Sequence, residues 1–116
     1  MPGDDFCYLT TTGRRSGKLH RIEIWYAHDD QTLYLLAGGG RASDWVRNVE
    51  ADHRVTVGLD DEDLDAVARI LDGPGDTEEA EHARTLVFDK YQPRYEGDLL
   101  EWRERSLPVA LDLLTD

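Results

Sequence analysis

The run Leu9-Thr10-Thr11-Thr12-Gly13-Arg14-Arg15-Ser16-Gly17-Lys18 gathers hydroxyls, two glycines and three cations within a single stretch. Glycine tolerates positive φ and close backbone approach, so N–H groups of such a turn can converge on an oxyanion. Arginine and lysine heads complete a cradle suited to phosphate. The same residues also fit a plain hairpin tip with solvated cations. An ATP-type phosphate loop is excluded by spacing, because three residues rather than four separate Gly13 from Gly17, and Leu19 rather than Ser or Thr follows Lys18.

Other reactive residue types form no comparable group. His20, His28, His53 and His82 are scattered, and no pair has the i, i+4 spacing of a zinc-binding helix, so no metal site is expected. Cys7 is the only cysteine, which excludes an intramolecular disulfide; between Phe6 and Tyr8 it reads as a small buried hydrophobe. No Ser-His-Asp or Cys-His ordering stands out.

The elements that must position the arginine-rich run follow from periodicity. Residues 6–12 read as a first strand. Residues 20–28 alternate, with Ile22, Ile24 and Tyr26 on one face, and pair through an Asp29-Asp30-Gln31 turn with a strand over 32–37. The Gly38-Gly39-Gly40 run breaks the chain, and Ser43 marks the start of a short helix over 44–51 with Trp45, Val46 and Val49 inward. Strands are predicted over 54–59 and 64–71, a helix from Thr77 to about Tyr91, a short helix over 98–105 and a final strand from Leu107 to Leu114. Six strands with peripheral helices point to a small α+β barrel, and an open α+β sandwich also fits the pattern.

Composition bounds the partners. The 116-residue chain suits one domain, spanning residues 1–116, and its formal net charge of −12 disfavours nucleic acid and anionic membranes. No stretch approaches the length of an apolar membrane span. Met1 to Asp5 carry acid rather than base and no apolar segment, so a secretory signal is not expected, and a reducing, cytoplasmic setting fits best.

The ordered set Leu9 to Gly17, Ala37 to Gly40, Trp45-Val46-Arg47-Asn48-Val49-Glu50-Ala51, Arg54 to Val57, Tyr91-Gln92-Pro93-Arg94-Tyr95 and Leu107 to Leu111 resembles the deazaflavin-dependent nitroreductase family. The resemblance covers nearly the whole chain. It implies a split β-barrel related to flavin-binding pyridoxamine-phosphate oxidase-like proteins. It further implies a factor-420 deazaflavin coenzyme and hydride transfer to a quinone, nitro compound or activated alkene. Thr12, Arg14, Arg15, Ser16, Gly17 and Lys18 would then hold the coenzyme phosphate, with Arg21 reaching the same group. Gly38, Gly39 and Gly40 would let the backbone approach the ring, Arg41 would supply a charge beside them, and Trp45 and Asn48 would form a Trp-x-x-Asn element near the coenzyme. Tyr91 and Tyr95 are the implied proton donors. His20 stands where the family most often has arginine, and Glu23 where it often has proline. The phosphate loop would equally serve FMN, and a non-catalytic binder of a coenzyme or lipophile would carry it too. Split barrels commonly pair, so a homodimer is a further expectation.

Overall fold

The computed structural model describes residues 6–114. Seven strands, β1 (Cys7–Thr12), β2 (Leu19–Ile24), β3 (Ala27–Asp29), β4 (Thr32–Ala37), β5 (Arg54–Leu59), β6 (Glu62–Ile70) and β7 (Leu107–Leu113), form one sheet. Three α-helices, α1 (Asp44–Ala51), α2 (Thr77–Tyr91) and α3 (Leu100–Arg105), accompany them. The sheet order is β2-β1-β5-β6-β7-β4-β3, antiparallel throughout. It curls into a split barrel.

Seven strands rather than six arise at one place. The strand expected over 20–28 is interrupted at Trp25 and Tyr26, so that β2 lies on one edge of the sheet and β3 on the other. The chain itself therefore bridges the split. Leaving the ladder would orphan the backbone of Tyr26, and helix α2 supplies its partners. The Tyr26 N–H donates to the Tyr91 hydroxyl at 3.0 Å, and that hydroxyl donates to the Tyr26 carbonyl at 3.0 Å. Lys90 Nζ reaches the same carbonyl at 2.8 Å.

Alternation divides the apolar residues between two cores. Cys7, Leu9, Leu33, Leu35, Val57, Val109 and Leu111 fill the barrel, with Val49 and Trp45 of α1 packed against them. On the outside, Ala80, Ala83, Val87 and Tyr91 of α2 cover Tyr34, Leu36 and Ala110. Tight hairpins set the register: Asp60 and Asp61, both at positive φ, form the β5–β6 turn, a backbone choice that matches the strand twist.

Candidate functional site

The cationic run forms the β1–β2 hairpin tip. Gly13 N–H donates to the Lys18 carbonyl at 2.7 Å, Gly17 N–H to the Gly13 carbonyl at 2.9 Å, and Lys18 N–H to Ser16 Oγ at 3.1 Å. Gly17 has φ +74, and a Cβ on Gly13 would lie 2.7 Å from His20 Nε2. Gly17 is thus favoured by its backbone conformation, and a side chain at Gly13 would displace the His20 ring.

Asn48 ties this tip to helix α1. Its Oδ1 accepts from Arg14 N–H at 3.2 Å and from Arg14 Nη1 at 2.9 Å, while its Nδ2 donates to Thr11 Oγ1 at 3.1 Å. Both Asn48 and Thr11 are buried, so these bonds are made away from competing water. Asn48 thus fixes the loop. Arg14 also leans on Asp44, 3.5 Å away, which spends its charge on α1.

Most of the turn's N–H groups are already bonded, those of Gly13, Gly17 and Lys18 within the turn and that of Arg14 to Asn48. Among the described residues, the N–H groups of Arg15 and Ser16 have no partner, and Arg15 and Lys18 form no ion pair. Arg41, by contrast, is paired with Glu50 and Asp72.

A cavity of about 360 Å³ opens beside the tip, lined by Arg14, Arg15, Ser16 and His20, with Ile22, Trp45 and Asn48 among its walls. Of the residues expected at a coenzyme site, Arg14, Arg15, Ser16, Trp45 and Asn48 are brought together here. Thr12 and Arg21 are not. Register places Arg21 opposite Thr10 and His20 opposite Thr11, so the two neighbours on β2 face opposite sides of the sheet. Arg21 lies over the Tyr8 ring, 4.5 Å from its centroid, and Thr12 lines a separate groove with Leu19, Arg54 and Asp65. His20, passed over as a contact in the sequence reading, is on the cavity side. Gly38, Gly39 and Gly40 stand outside this cavity: a Cβ on Gly38 would meet the Trp102 indole nitrogen at 3.2 Å, and one on Gly39 would meet Ser43 Oγ at 2.6 Å.

A second cavity, about 510 Å³, lies beyond the other end of β2. Its aromatic walls are Phe6, Trp25, Tyr95 and Trp102, with Leu36 and Leu99 between them and Glu23, Asp98, Glu101 and Arg105 also contributing. Trp25 is its organising side chain, stacked on Tyr91 at 4.4 Å and edge-on to Tyr95 at 5.9 Å and Trp102 at 5.5 Å. Neither Trp25 nor Trp102 was singled out in sequence, because each read only as an apolar residue in its strand or helix.

The two tyrosines of the sequence reading have different surroundings. Tyr91 is buried behind Trp25, its hydroxyl occupied by Tyr26, and burial pushes its phenol up to about 12. That side chain is a staple of the split rather than a lining residue of either cavity. Tyr95 is half-exposed, lines the aromatic cavity, and its hydroxyl has no hydrogen-bond partner among the described residues. Cys7 is wholly buried, and burial pushes its thiol up to about 12, which removes it as a nucleophile. No group of three or more potential metal-ligating side chains occurs among the described residues.

The donor set fits an anionic coenzyme: an unpaired guanidinium, a hydroxyl, an imidazole and two open N–H groups surround a cavity with an indole wall. Comparisons with known proteins agree. An F420-H2 dependent reductase structure is 28% identical, with a TM-score of 0.73, over 93% of this chain and 94% of the other. A chain that forms a domain-swapped dimer is 29% identical, with a TM-score of 0.72, over 93% of this chain and 80% of that one. The heme storage protein HutZ of Vibrio cholerae shares the fold alone, at 14% identity and a TM-score of 0.76 over 98% and 84% of the two chains. Among curated proteins no significant relative was found. Residues 1–113 match the model of the F420H(2)-dependent quinone reductase family, and the chain belongs to that family of deazaflavin-dependent reductases.

Proposed function

We propose that the arginine-loop cavity binds the phosphate-bearing part of the deazaflavin coenzyme and that the aromatic cavity receives a planar, conjugated acceptor such as a quinone, nitroarene or enone. When bound, the reduced coenzyme supplies a hydride. The protein's own contribution is positioning. Arg15 and Ser16 offer a guanidinium and a hydroxyl to a phosphate, and Trp45 offers an apolar wall on the same cavity. Asn48 keeps that loop in place through its bonds to Arg14 and Thr11.

The observation that carries the reading is the sharing of β2 between the two cavities. His20 and Ile22 line the first, Glu23 and Ile24 the second, so the two cavities flank the same edge strand. Trp25, Trp102 and Tyr95 offer flat apolar faces to an acceptor. Tyr95 is the phenol open to protonate an acceptor oxygen as charge develops on it.

Oxidation of the reduced coenzyme is to be followed under anaerobic conditions with a quinone, a nitroarene and an enone in turn. Turnover with at least one of them, with Trp102→Ala raising KM and Tyr95→Phe lowering kcat, is the expected result. Tight coenzyme binding without turnover of any acceptor class would move the protein to a non-catalytic role. A homodimer is a compatible assembly, since β2 and β3 leave two sheet edges open.

A further inference from the structure

The arginine-loop cavity holds one fixed, uncommitted cation and one conditional one. Arg14 is spent on Asn48 and Asp44, which leaves Arg15 as the permanent charge lining the space. The other group able to carry positive charge there is His20. Its place is forced by register: Thr11, opposite it on β1, is buried against Asn48, so the inner face of β2 at this level is the cavity face. Gly13 leaves the room that the imidazole occupies, since a Cβ there would lie 2.7 Å from Nε2.

We propose that His20, rather than Arg21, is the β2 contact for the coenzyme's phosphate, and that protonation of its imidazole tightens coenzyme binding. The inference rests on the coenzyme site assigned above. Histidine is the side chain whose charge ordinarily changes between about pH 5 and pH 8, so a phosphate contact made through it is linked to protons where one made through arginine is not. The charged groups lining the same cavity are Arg14 and Arg15 of the turn and Asp44 of α1; Thr11 of β1 and Trp45 and Asn48 of α1 are neutral. An imidazolium donates a charge-assisted hydrogen bond to a phosphate oxygen, and the neutral ring a weaker one. Linkage makes the effect reciprocal: coenzyme binding favours the protonated ring.

The test titrates the oxidised deazaflavin coenzyme into wild type, His20→Gln, His20→Arg and Arg21→Gln between about pH 5.5 and pH 8.5, following fluorescence. The coenzyme's own ionisation is common to all four proteins and cancels on comparison. Wild type is expected to lose about tenfold more affinity across this range than His20→Arg, which binds tightly throughout; His20→Gln binds weakly with a similarly shallow profile. Identical pH slopes in wild type and both His20 variants, or a larger loss in Arg21→Gln than in His20→Gln, overturn the assignment while leaving the coenzyme site standing. Failure of wild type to bind the coenzyme at any pH overturns both.

Discussion

At the scale of single residues, side chains of similar appearance in sequence do different work. Tyr91 and Tyr95 sit on the same short stretch, yet one hydroxyl is engaged by the Tyr26 backbone and the other lines an open cavity. Tyr91→Phe removes a buried hydroxyl with two backbone partners, and should cost about 1 kcal/mol or more of unfolding free energy, read as a lower urea midpoint. Asn48→Ala removes three hydrogen bonds at once and leaves Thr11 and the Arg14 N–H short of partners. Its expected cost is about 2 kcal/mol of stability, with weakened coenzyme binding because the loop is no longer tied to α1. Denaturant melts and a coenzyme titration of the same variant check both effects.

At the scale of elements, the hydrophobic periodicity located β1, β4, β5, α1, α2 and β7 closely. What it missed is instructive. The alternation of Ile22, Ile24 and Tyr26 continues unbroken through the β2–β3 junction, so nothing local marks where the chain leaves one sheet edge for the other. That break is imposed from a distance, by Tyr91 and Lys90 of α2. The cationic loop and the Trp45-x-x-Asn48 element were legible because they are short motifs. The aromatic cavity was not, because Trp25, Tyr95 and Trp102 are far apart in the chain and meet only in the fold. Pairing of α2 with the barrel carries its own prediction. Arg69 on β6 bonds Glu79 of α2 at 2.8 Å and Asp112 of β7 at 2.6 Å, and its hydrogen bonds hold both carboxyls below their ordinary range. Their folded values being depressed, this contribution is complete above the usual carboxylate range and is lost as pH falls through the folded values. Thermal melts should therefore show a falling midpoint in acid. Arg69→Gln should lower stability near neutrality by about 1 kcal/mol, since the pairs are partly solvent-screened, and flatten that acid limb.

At the scale of the whole molecule, charge and curvature act together. The chain carries a formal net charge of −12, and most of its arginines that meet acids are neutralised by them. Arg15, which forms no ion pair among the described residues, is an attraction for an anion placed where the curled sheet and α1 leave a cavity. The acidic field should speed dissociation of anionic ligands held elsewhere on the surface, and so sharpen selection for this one site. No helix among the described residues is long and apolar enough to cross a membrane. The most direct test of the account is a fluorescence titration of the ligand-free protein with the oxidised deazaflavin coenzyme and with FMN, repeated on Arg15→Ala. The account predicts preferential binding of the deazaflavin, weakened about tenfold or more by the substitution through loss of a charge-assisted phosphate contact. Unchanged affinity in Arg15→Ala, or a preference for FMN, would contradict it.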